Sequence, residues 1–229
     1  MVLLVEDVGK FLGRDVQTPY NLRVGRLIGV DTNIRNEVTQ VSIEQTSGVL
    51  AKYPITQVKI QDKSLVLSPE WKDEACDLQR EYLTASKRMF ALKALVSDGD
   101  IDSESYREMK SEYENAIHAM ETRRLALVDS LKERSGKLED LIRRLQLSLT
   151  DNKLLYSSGA VEVAAYKDAC QIIHEMLQAY AAERKDLQGA IEGLSALERT
   201  QLTEEPRSEK AEHKIPDFVV VKIHEETPA

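Results

Sequence analysis

The sequence predicts an α+β multidomain protein: a small antiparallel β-barrel, then a long antiparallel helical hairpin or coiled-coil rod, then a flexible tail. Three observations carry that expectation. Turn-forming residues crowd the start, with Gly9, Gly13, Gly25, Gly29, Gly48, Pro19, Pro54 and Pro69 all before residue 70, and no proline follows until Pro206. Proline removes an N–H and clashes with the preceding helical turn, so the Glu, Lys, Leu, Ala and Arg-rich stretch between Pro69 and Pro206 is free to be continuous helix. Aromatic residues are only 5% of the chain, few for a compact globule and enough for a rod. The expected boundaries are 1–68 for the β domain, 69–200 for a three-helix coiled-coil rod turning near 97–102 and 157–160, 201–214 for a charged disordered linker, and 215–225 for a terminal β-strand peptide.

In the first module, RVGRLIGV and EVTQVSIEQ are rich in β-branched residues, and the Asp and Asn cluster DTNIRN between them is hairpin-turn chemistry. QTPYN supplies an earlier turn, and VKI and LVL flank Gln61, Asp62 and Lys63. Five or six short antiparallel strands in so few residues must close, or nearly close, to bury their apolar sides. The segments VGKFLGRDVQTPYNLRVGRLIGVDTNIRNEVTQVSI and YPITQVKIQDKSLVL resemble the opening and closing strands of a PRC-barrel module.

Steps of four and three residues from Trp71 meet Ala75, Leu78, Tyr82, Ala85, Met89, Leu92 and Val96, all apolar. Ser68 and Pro69 read as an N-cap with proline at the first helical position, and Ser97-Asp98-Gly99 as the stop. A second helix from Ser103 places Tyr113, Ile117, Met120, Leu127, Leu131, Leu138, Leu141 and Leu145 on one row, interrupted by Arg124 and Arg134. A third carries Tyr166, Cys170, Ile173, Leu177, Tyr180, Leu187, Ile191 and Leu194, interrupted by Arg184. Spacing near 3.5 residues means coiled-coil packing. The seam is expected at Trp71, Leu78, Tyr82, Met89, Leu127, Leu131, Leu138, Leu141, Ile173, Leu177, Leu187 and Ile191. The breaks SDGDIDSESY and SSGAVEVAAY share serine, glycine and a tyrosine seven after the glycine, so the chain turns back twice by similar means. At about 1.5 Å per residue the middle helix is roughly 80 Å long and the flanking ones roughly 42 and 57 Å, which makes the centre of the arm three helices thick.

Charge and motif arithmetic exclude several functions. The net charge is −8, and no segment is basic: residues 1–70 are neutral, 71–200 carry −5 and 201–229 carry −3. Charge therefore does not support DNA as a partner. Cys76 and Cys170 make neither a disulfide framework nor a zinc site, and with no signal-peptide pattern or long apolar run the expectation is a cytoplasmic protein. His174-Glu175 lacks the second histidine of a zinc-protease helix, because position 178 is glutamine. Asp98, Asp100 and Asp102 alternate like a calcium loop, but Ser103 and Met109 stand where glycine and the bidentate glutamate are needed. Gly136-Lys137 has leucine where a phosphate loop needs its first glycine. The expectation is no enzyme, no catalytic residue, no metal and no cofactor. Arg123-Arg124 and Arg143-Arg144 read as solvated or interhelical salt-bridging pairs, and contact with anionic lipid would have to come from the barrel loops.

The terminal run IPDFVVVKI has no role in a rod. In extended form Val219, Val221 and Ile223 point to one side and Phe218, Val220 and Lys222 to the other, a pattern that seeks a sheet edge. One reading is partner capture; the other folds the strand back onto the chain's own barrel. A PRC-like barrel, a helical arm opening LSPEWKDEA and a hydrophobic terminal peptide behind a charged linker together resemble the CdvA family of archaeal cell-division proteins. That resemblance implies a filament-forming scaffold at mid-cell on the inner face of the membrane, with the membrane surface as a further contact. It also implies that the tail recruits ESCRT-III-like CdvB by adding a strand to its winged-helix domain. Ile215, Pro216, Phe218, Val219, Val220, Val221, Lys222 and Ile223 match the peptide. The alternative is an RNA-processing or other accessory PRC-barrel module that uses the helices as a spacer.

Overall fold

The computed structural model describes residues 3–61 and 64–203, with 198–203 as backbone alone. β-Branched and aliphatic residues build six strands, β1 (Asp15–Gln17), β2 (Arg23–Thr32), β3 (Val38–Gln45), β4 (Leu50–Pro54), β5 (Val58–Gln61) and β6 (Ser64–Leu67), in one sheet of order β4-β3-β2-β1-β6-β5. The asparagines between β2 and β3 turn the chain as their chemistry allows: Asn33 Oδ1 accepts the backbone N–H groups of Arg35 (2.9 Å) and Glu37 (3.0 Å), and Asn36 sits in the left-handed region at φ 58°. Val16, Leu27, Val41, Ile43 and Leu65 are fully buried inside the sheet. Val8 and Phe11 join them from around a short helix, α1 (Val5–Gly9), that the sequence reading did not anticipate.

The sheet departs from an all-antiparallel barrel in two ways. β1 pairs with β6 in parallel, Val16 opposite Leu65. Among the described residues no ladder joins β4 to β5, although Pro54 and Val58 stand at opposite edges of the strand order with only the 3-10 turn Ile55–Gln57 between them. Four residues reach at most roughly 14 Å, so the sheet curls until its edges face each other across that turn without hydrogen-bonding into a closed ring. Pro54, which has no N–H to give, ends the β4 edge. Gly25 permits the close approach of β2 and β3: a Cβ there would run into the Glu44 carbonyl oxygen.

The rod consists of α2 (Glu70–Asp98), α3 (Ser103–Ser157) and α4 (Val163–Thr203). α2 is capped by Pro69 rather than Ser68 and begins at Glu70; Ser68 is buried, and its N–H donates instead to the Gln57 carbonyl (2.7 Å), which pins the join of sheet to rod. Gly99 ends α2 in the left-handed conformation at φ 80°. Asp102 starts α3, its carboxylate accepting the N–H groups of Ser105 (2.9 Å) and Glu104 (2.8 Å), bonds that hold its carboxyl below the ordinary range. At the second turn Gly159 repeats the left-handed step and Tyr156 stacks on Tyr166 with 4.5 Å between centroids. α4 continues to Thr203, three residues into the stretch read as linker. Residues 204–229, with the terminal strand peptide 215–225, lie outside the described residues.

α3 runs antiparallel to both of its neighbours, and α2 and α4 lie side by side in the same direction where Lys72 meets Asp186 and Gln79 meets Gly193. Over that section the arm is three helices thick. Beyond it, α2 with the start of α3 forms one end, and the last part of α3 with the start of α4 forms the other.

Candidate functional site

The long helices owe their stability to packing, since an isolated helix gains little from propensity alone. Leu78, Tyr82, Leu127, Leu131, Leu138 and Leu187 are buried in one cluster with Ala75, Ala85, Met120, Val128, Leu194 and Leu197, and Trp71 and Ile191 pack against it. Ile173 is buried outside that cluster, Met89 and Leu177 are half-buried, and Leu141 is exposed. Past Leu131 the inward row of α3 reads Ser135, Leu138, Ile142, Leu145 and Leu149, so Ser135 and Ile142 replace Arg134 and Leu141. On α4 Glu183 takes the place expected for Arg184. A straight α-helix drifts about 20° per heptad from a strict 3.5-residue repeat, and over a helix this long the buried row steps by one residue.

Among the described residues, two charged side chains are buried inside the rod. Arg124 is 3% exposed; its Nε and Nη2 donate to both carboxylate oxygens of Glu121 (2.8 and 2.5 Å), and its Nη1 donates to the Leu194 carbonyl (3.3 Å), joining α3 to α4. Those bonds hold the Glu121 carboxyl below its usual range. Glu183 is also 3% exposed and accepts from Arg134 Nε at 2.7 Å, whereas the Arg134 side chain is 50% exposed.

The sheet meets the rod through the turn after β1. Thr18 Oγ1 accepts the N–H groups of Tyr20 (3.3 Å) and Leu22 (3.2 Å), and this turn presents Tyr20 to α4. The Tyr20 hydroxyl donates to Asp186 (3.1 Å), Lys72 Nζ donates to the same carboxylate (2.6 Å), and Lys72 lies 5.8 Å from the Tyr20 ring centroid. Burial, and then the neighbouring Asp186 carboxylate, push the Tyr20 hydroxyl pKa well up; the Lys72 hydrogen bond holds Asp186 down. Beside the junction an open groove of about 720 Å³ runs between sheet and rod, lined by Lys52, Tyr53, Gln57, Trp71 and Arg134 among others. The Trp71 indole N–H is buried at its edge without a hydrogen-bond partner.

This chemistry fixes one body on another. Among the described residues no group of histidine, cysteine and carboxylate side chains could hold a metal ion, and no helix is long and apolar enough to cross a membrane. Cys76 is exposed and Cys170 half-buried, and they form no disulfide. The sequence reading missed Tyr20, Lys72, Asp186 and Glu183. Glu183 had a readable signal, since it stands four residues from both Ala179 and Leu187 on an apolar row, with Arg134 similarly placed on α3. Tyr20 and Asp186 are 166 residues apart, and no local pattern links them.

Comparison with known proteins agrees with this architecture. Residues 70–216 match the CdvA-like coiled-coil domain. The chain is also similar to Cell division protein A of Sulfolobus acidocaldarius, 26% identical over 206 residues, which cover 90% of this chain and 86% of the relative. The match spans the whole of α2, α3 and α4, and the chain belongs to the CdvA-like coiled-coil family.

Proposed function

We propose that this chain is a non-enzymatic cytoskeletal scaffold of archaeal cell division, which assembles with its own copies into filaments at mid-cell on the inner face of the membrane and recruits an ESCRT-III-like CdvB subunit through its C-terminal strand. The observation that carries the reading is the rod: three long helices joined by a largely apolar buried cluster, with a sheet locked to its side, in a chain similar along 90% of its length to a relative whose name is Cell division protein A. Such an arm spaces and aligns binding surfaces. Recruitment rests on the alternation of Phe218, Val219, Val220, Val221, Lys222 and Ile223 behind Ile215 and Pro216, since the family match stops at 216. Strand addition draws affinity from backbone hydrogen bonds and specificity from alternate side chains.

Truncation after Lys214 tests the reading. Folding and self-assembly survive it, and capture of a CdvB winged-helix domain is lost. Val220→Pro, which deletes one ladder N–H, and Val221→Asp, which charges one face, each weaken capture by about tenfold or more, about 1.4 kcal/mol. Calorimetry showing intact affinity in the truncated chain would move the capture element to the sheet. A lower melting temperature of the sheet on truncation would assign the strand to the chain's own β4 or β5 edge.

A further inference from the structure

The last part of α3 carries surface that the rod does not use. Beyond the three-helix section its inward row faces α4, while Leu147 and Leu154 on the opposite side are 59% and 64% exposed. Asp140, Arg144, Leu147, Asp151 and Leu154 follow one another in steps of four and three, so they form one stripe on the outward face. Asp140, Arg144 and Asp151 are exposed and form no ion pair among the described residues, although the helix pairs other charges along and across the rod, as Glu133 with Lys137 and Glu139 with Arg184.

The stripe is complementary to itself when reversed. Arg144 lies three residues before Leu147 and Asp151 four residues after it. In an antiparallel pair of such helices with the two-fold axis at Leu147, the arginine of each copy therefore falls opposite the aspartate of the other, within about one residue rise of 1.5 Å. Leu147 would then meet its own symmetry mate at the centre, as an isologous contact requires, with two identical Arg–Asp pairs beside it. A stripe of one charge sign would repel its copy; this one alternates and attracts.

We infer that the outward face of α3 around Leu147 is an interface between two antiparallel copies of this chain, held by apolar contact at Leu147 and by reciprocal pairing of Arg144 with Asp151. The inference rests on the self-assembly reading above and supplies its contact surface. The occupant is a second copy because the charge pattern matches itself end for end.

Sedimentation velocity on the full-length chain tests this directly. Arg144→Asp places two carboxylates opposite each other, Asp151→Arg places two guanidinium groups opposite each other, and each variant alone self-associates at least tenfold more weakly than the parent. Mixed in equal amounts the two defective variants associate again, because one supplies only carboxylates and the other only guanidinium groups. The double variant Arg144→Asp, Asp151→Arg also recovers. All these side chains are exposed, so circular dichroism of the variants matches the parent. If the parent chain is a monomer throughout the accessible concentration range, the self-assembly reading falls and this inference falls with it. If the parent associates and the single variants associate equally well, self-assembly stands and the α3 interface is refuted. Loss in the single variants without recovery on mixing refutes the antiparallel register.

Discussion

The ion pair between α3 and α4 is unequal, and the inequality makes a quantitative prediction. Glu183 is buried and Arg134 is half in water, so removal of one partner does not mirror removal of the other. Arg134→Ala strands a carboxylate in the seam beside Leu187, and leaving such a buried charge uncompensated costs about 3–5 kcal/mol. Glu183→Leu leaves a guanidinium that already reaches solvent, and exposed partners of this kind are worth less than about 1 kcal/mol. Replacing both residues by leucine removes the charge and its burial together and returns the rod to within about 1 kcal/mol of its starting stability. Urea unfolding followed by helical circular dichroism, with unchanged dependence on denaturant, measures all three. Equal losses from the two single substitutions would refute the argument, since the difference follows only from which partner is desolvated.

Two further outcomes follow from the sheet and its junction. Gly25→Ala drives a methyl group into the Glu44 carbonyl of the adjacent strand, a backbone neighbour that cannot rotate away, and lowers stability by about 1–3 kcal/mol in a thermal melt. The Asp186 carboxyl is held below its ordinary value by Lys72, so its contribution to the sheet–rod contact is present above the unfolded carboxylate pKa and is lost as pH falls through the lower folded value. Emission from Trp71, the one tryptophan of the chain and the neighbour of Lys72, stays level down to about pH 4 and changes below it, and Asp186→Asn abolishes that step.

Much of the rod was legible because its signal is local. An apolar step of 3.5 residues locates buried rows, and serine, glycine and aspartate mark the ends of helices, as Gly99 and Asp102 do. What misled the reading was accumulated drift: a strict repeat carried through a helix of 55 residues exchanges Leu141 for Ile142, an error absent near the start of the count. In the sheet, turn chemistry at Asn33 and Thr18 was readable, but the parallel pairing of β1 with β6 was not, because it joins Val16 to Leu65 across the intervening strands and no local pattern links them. The Tyr20, Lys72 and Asp186 junction joins three distant segments by polar contacts, and polar side chains outside a motif carry no mark of their partners. The stripe around Leu147 was hidden differently: its leucines stand off the seam, where a count of seam positions passes over them.

The parallel run of α2 beside α4 decides how a load applied along the rod would be shared among its contacts. The sheet enters the rod at Ser68, and α4 leaves its junction with the sheet at Asp186 and continues to Thr203, roughly 26 Å further along the axis at 1.5 Å per residue. Tension applied at Thr203 and resisted at the sheet is therefore directed lengthwise along α4. It loads the helix in shear against α2 and α3, so Lys72 with Asp186, Arg124 with the Leu194 carbonyl and the leucine rows must yield together. A peeling load would break them singly, at far lower force.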